Sequence, residues 1–144
     1  MDDTEWTALA EALAADVRRV SERLRHLSQA QLAALVSPAT GGPPYGSRAE
    51  AGRAVAQVLV DTALALDATA AGQAPAPRPL PDLADFAVGD QVAVAGHDVR
   101  AAMKRVRPDT RLRMYADAGA TSETTAADAV DHAARLLADV RRRL

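Results

Sequence analysis

The sequence predicts an all-α protein, a four-helix bundle in a single domain over residues 1–144, with a Pro-rich crossover strap between the second and third helices. Three observations predict it. Apolar residues recur at three- and four-residue steps through most of the chain, a capping signature opens a long apolar segment at Ser47, and prolines at 75, 77, 79 and 81 interrupt the middle.

The first helix runs from Trp6 on Leu9, Leu13, Val17, Val20, Leu24 and Leu27, which fall on one stripe, while Asp16, Arg19, Glu22, Arg23 and His26 face water. Ser28 caps a short continuation over 29–36, closed by Ser37-Pro38 and the turn-rich Gly41-Gly42-Pro43-Pro44-Tyr45-Gly46. Ser47-Arg48-Ala49-Glu50 is a capping box, in which the Ser hydroxyl and the Glu carboxylate each satisfy a free backbone N–H at a helix start. The second helix carries Val55, Val58, Leu59, Thr62 and Leu66, with Val60 and Leu64 on other faces, so it is the most buried of the four.

Residues 72–81 form the strap. Alternate prolines favour an extended polyproline conformation of about 3.1 Å per residue, so roughly nine residues cover almost 30 Å, the length of a helix of about 20 residues. Such a strap returns the chain to the end of the bundle where the second helix began and makes the second and third helices parallel. No two of these prolines are three residues apart, so the segment is not a PxxP ligand.

The third segment, 82–106, has Val at alternate positions and two glycines, which suits a strand and a turn. Val88, Val92, Ala95, Val99, Ala102 and Val106 instead follow helical spacing over more residues than a strand usually has, and the helix is preferred. Gly89 and Gly96 then leave flat patches for a neighbouring helix. Residues 107–121 read as a long connection with a short helical turn over 112–115. The last helix starts between Thr121 and Thr125 and runs on Val130, Ala133, Leu137, Val140 and Leu144, with Arg141, Arg142 and Arg143 complementing the negative end of its dipole.

A chain of 144 residues is long enough for one core, burying about 70% of its unfolded surface. It has no Cys, which excludes disulfides, thiolate metal sites and cysteine nucleophiles. No apolar run approaches the roughly 20 residues of a membrane span, and the first residues are acidic where a secretory leader is basic, so the chain is expected to be cytoplasmic, with no membrane partner. A formal charge of −2 offers no general attraction to nucleic acid. Arg in place of Lys and abundant Ala mark a GC-rich bacterial coding sequence.

Chemistry-bearing motifs are sparse. No two of the three histidines have the spacing that sets two metal ligands on one helical face, so neither a metal nor a cofactor is expected, and His26 and His132 read as solvated surface. His97-Asp98 is the pair of most interest. His97 lies opposite the valine stripe, on a second, half-apolar face with Asp90, Ala93, Val94, Arg100, Ala101 and Lys104, and Asp98 and Gln91 lie at the stripe's edge. The candidate ligand-binding residues are therefore Asp90, His97, Asp98 and Arg100, and no catalytic residue is assigned. The basic run Arg100, Lys104, Arg105, Arg107, Arg111 and Arg113 lacks interleaved aromatics and reads as a solvated helix end and loop rather than a nucleic-acid surface.

The order of features resembles the DinB-like bundle superfamily, including the actinobacterial mycothiol-dependent maleylpyruvate isomerase branch. The likeness is carried by the long first helix ending in Leu27-Ser28-Gln29-Ala30-Gln31-Leu32, by Ser47-Arg48-Ala49-Glu50, by the strap, and by Gly96-His97-Asp98-Val99-Arg100-Ala101. It implies parallel middle helices. It also implies a metal-binding His one and a half turns into the second helix, but the matching place near Ala54 has none and the other histidine ligands lack counterparts, so the resemblance implies a bundle without that metal centre.

The functional expectation is a non-catalytic, self-associating or partner-binding module, a homodimer through the second face of the third helix. The alternative is a DinB-like enzyme or small-molecule-binding protein with a pocket near Asp90, His97, Asp98 and Arg100.

Overall fold

A computed structural model describes residues 1–36, 44–115 and 121–144. Residues 37–43 and 116–120, which include Ser37-Pro38 and Gly41-Gly42-Pro43 of the turn-rich loop, lie outside the described residues. The protein is mostly helical, with four major helices.

The first of them, α1 (Asp3–Arg25), opens on a capping box between Asp2 and Glu5. Its Leu13, Val17, Val20 and Leu24 are buried, as the stripe requires. A second capping box, between Ser28 and Gln31, starts the short α2 (Gln29–Ala33). The chain then meets itself in an isolated bridge between Leu35 and Ser47. At the start of α3 (Arg48–Ala70) the Ser47 hydroxyl accepts from Glu50 N–H at 3.1 Å, the first half of the expected box. The second half differs: the Glu50 carboxylate takes the Ser47 hydroxyl at 3.3 Å instead of the Ser47 N–H. Ala49, Ala51, Gly52, Val55, Ala56, Leu59, Thr62, Ala63, Ala65 and Leu66 are all buried, so α3 is enclosed around more of its circumference than α1.

After Ala71 the chain has no regular structure until a 3-10 turn at Asp85–Ala87, which leads into α4 (Val88–Met103). The helix expected over 82–106 is therefore shorter at both ends. Its phase is as expected: Val88, Val92, Ala95, Val99 and Ala102 are buried, while His97 is exposed.

Residues 111–115 and 121–125 correct the sequence reading. The helical turn expected over 112–115 is a strand, β1 (Arg111–Tyr115), paired antiparallel with β2 (Thr121–Thr125), with Leu112 opposite Thr124. Leu112 is buried and its neighbours Arg111 and Arg113 are exposed, the alternation of a half-buried strand. The Thr-rich run read as the start of the last helix has strong strand propensity. Only Thr125 serves the helix, accepting from Asp128 N–H at 3.1 Å, and α5 (Ala126–Arg143) begins one residue later.

The core lies where α1, α3, α4 and α5 meet, with Val20, Leu24, Leu59, Leu66, Val92, Val99, Val130, Leu137 and Val140 enclosed. Two glycines let α1 and α4 approach closely. A Cβ on Gly96 would lie 2.5 Å from both methyls of Val17, and one on Gly89 would lie 2.8 Å from the Ser21 carbonyl oxygen. Trp6 fixes the far end of the same pair, its indole N–H donating to the Met103 carbonyl at 3.1 Å.

Candidate functional site

Three side chains hold the segment before α4 against the helices. The Gln57 amide accepts from Leu80 N–H at 2.7 Å and donates to the Arg78 carbonyl at 3.1 Å. Gln91 donates to the Pro81 carbonyl at 2.8 Å. Arg53 donates to the Leu83 carbonyl at 3.1 Å and pairs with Asp85. Residues 73–84 have no regular structure, so these side chains supply partners that a helix or sheet would otherwise provide.

The result is a trough of about 590 Å³. Val60, Ala63 and Leu64 of α3 form its floor, Leu80, Pro81 and Leu83 one wall, and Asp90, Gln91, Val94, Asp98 and Ala101 of α4 the other. Asp67 and Arg105 close one end with an ion pair at 2.7 Å. Gln91 is 9% exposed, and its Oε1 has no hydrogen-bond partner among the described residues.

The four candidate residues are divided between two depressions. Asp90 and Asp98 border the trough, and Asp67 joins them there. His97 and Arg100 border a separate cleft of about 380 Å³ between α1 and α4, with Ala14, Arg18 and Arg25. Asp90 connects the two, its carboxylate held by Arg25 at 2.7 Å from the cleft side while its side chain remains 70% exposed. The four therefore do not converge on one cavity.

A polar groove that the sequence did not reveal lies between α3, the hairpin and α5, bordered by Asp61, Thr62, Ser122, Thr124, Asp128 and His132. Asp128 and His132 are one turn apart on α5, and the hairpin brings Ser122 and Thr124 beside them. Among the described residues no group of three His, Asp or Glu side chains could hold a metal ion.

No protein-family model, curated protein or solved structure matches this chain.

The basic run is partly neutralised within the chain. Arg105 pairs with Asp67, Arg111 with Glu123 at 3.3 Å, and Arg107 with Asp109 at 3.8 Å. Tyr45, set apart from the trough, lies under the Arg143 guanidinium at 5.0 Å. Burial, with Asp139 nearby, raises the Tyr45 phenol above its ordinary value of 10.0 against the opposing pull of Arg143. No helix among the described residues is long and apolar enough to cross a membrane.

What the surface offers most distinctly is exposed apolar bulk. Leu83 is 47% exposed, Phe86 72% and Val94 64%. All three lie within twelve residues of sequence, Leu83 and Val94 at the trough and Phe86 in the 3-10 turn before α4.

Proposed function

We propose that this chain is a non-catalytic, self-associating module that presents the outward face of α4 to a second copy of itself. The observation that carries the reading is Val94, 64% exposed on a helix whose opposite stripe is fully buried. Leu83 shares the trough with Val94, and Phe86 stands exposed in the turn that leads into α4. Clustered exposed apolar side chains mark interaction surfaces, whereas a small-molecule site encloses such groups. A two-fold contact is the simplest cover, because one patch serves both subunits.

The crossover topology belongs to the same proposal. Supports for it are the hydrogen bonds from Gln57 to 78–80 and from Arg53 to 83–85, which follow α3 backward as the chain moves forward. Gly52 beside Val88 at one end and Asp67 beside Arg105 at the other favour α3 and α4 running parallel. This arrangement also supports DinB-like descent, with Ala54 at the place of the family's metal-binding His.

The test is the Val94→Arg variant. A charge on the α4 face shifts a dimer to monomer without loss of helix content, because the residue supports no core contact. A variant that associates like the wild type removes Val94 from any interface.

A further inference from the structure

We infer that the second copy docks antiparallel, α4 against α4, about a two-fold axis at His97, so that Asp90 of each chain meets Lys104 of the other. The inference rests on the self-association proposed above and specifies its register.

The outward stripe of α4 has the spacing of a coiled-coil seam. Asp90, Val94, His97, Ala101 and Lys104 succeed one another at steps of four, three, four and three, the repeat that keeps one face toward a partner helix. Helical phase puts these residues opposite the buried Val88, Val92 and Val99. Lys104 is the C-cap and retains helical backbone angles, φ −69° and ψ −17°, so the stripe continues through it. Val94 and Ala101 flank the central His97, and the two ends of the stripe carry opposite charge.

That charge pattern selects the pairing. Asp90 lies seven residues before His97 and Lys104 seven after it, so a two-fold axis at His97 places each carboxylate opposite an ammonium. A parallel pairing instead sets Asp90 against Asp90 and Lys104 against Lys104. Arg25 occupies Asp90 from the α1 side, through Nε at 2.8 Å and Nη2 at 2.7 Å, both on Oδ1. The side chain is nevertheless 70% exposed, so the carboxylate can accept a second cation from outside. Lys104 is exposed and is the only lysine of the chain.

The single lysine makes the register directly measurable. Along one helix the fourteen residues from Asp90 to Lys104 span about 21 Å. A zero-length carbodiimide bond between them can therefore form only between chains. Wild-type protein treated at micromolar concentration should yield a dimer band whose digest contains an Asp90–Lys104 cross-linked peptide. Lys104→Asp should raise the dimer dissociation constant at least tenfold by sedimentation, and Asp90→Lys/Lys104→Asp should restore it to within about threefold, with circular dichroism confirming the fold of each. A wild-type dimer without the 90–104 bond, or one indifferent to both changes, overturns the register and leaves self-association standing. A wild type that sediments as a monomer overturns both.

Discussion

Gly96→Ala isolates the physics of the α1–α4 contact on which the outward face of α4 depends. Two effects oppose each other. Alanine is favoured over glycine inside a helix by about 1 kcal/mol. The added methyl, however, would lie 2.5 Å from both Cγ atoms of Val17 and 3.0 Å from its Cβ. Val17 cannot swing away, because a β-branched side chain in a helix has one strongly preferred rotamer and this one is 6% exposed. The helices must separate, and overpacking of this kind costs about 1–3 kcal/mol. Overlap with two methyls at once places this site in the upper part of that range, so the net loss is about 1–2 kcal/mol, a fall in Tm of about 2–8 °C for a chain of this size. Thermal unfolding by circular dichroism reads it. Val17→Ala alone should also destabilise, by about 1–2 kcal/mol through the cavity it leaves. The double variant should be more stable than the sum of the two losses allows, by about 1 kcal/mol, since each change relieves the other. A Gly96→Ala protein that melts above the wild type, or strictly additive losses, would refute the close approach.

Three further outcomes follow from other parts of the molecule. Val99→Ala removes two methyl groups from a fully buried position and should cost about 1–3 kcal/mol, whereas the exposed His97 should lose far less on change to Ala; urea titration compares them. Gln57→Ala deletes the partners of Leu80 N–H and the Arg78 carbonyl, so limited proteolysis should cut 72–84 faster while the core keeps its helix signal. Tyr45 should hold its proton above pH 10 in the folded state, since burial is the first cause of its raised value. Its contribution to stability is then complete below pH 10, the unfolded value, and is lost as pH rises through the higher folded value. Ultraviolet titration of a Tyr115→Phe variant, with Tyr45 as the remaining tyrosine, checks the direction.

The helices were legible because each rests on a pattern several turns long. The stripe from Leu13 to Leu24 and that from Val88 to Ala102 leave little choice of face, and local capping at Ser28 and Ser47 adds start points. The hairpin was harder to read because each strand is five residues long. Arg111-Leu112-Arg113-Met114-Tyr115 alternates, and Thr121-Ser122-Glu123-Thr124-Thr125 is rich in a strand-favouring residue, so a signal was present. Its pairing, though, connects residues up to fourteen apart, and neither five-residue run distinguishes itself from a loop on period alone. The trough depends on Gln57, Arg53 and Gln91 reaching a proline-rich segment with no periodicity of its own. Nothing in their spacing announces that. The division of His97 and Arg100 from Asp98 was implicit in the helical phase, since His97 and Asp98 differ by 100°, but only the placement of α1 and α3 on either side of α4 turns that angle into two separate depressions.

Sedimentation velocity of the wild-type protein, from micromolar to millimolar concentration, shows directly whether the outward face of α4 receives a second copy. A species of twice the 15.1 kDa chain mass is expected already at micromolar concentration. A single 15.1 kDa species throughout that range would contradict it.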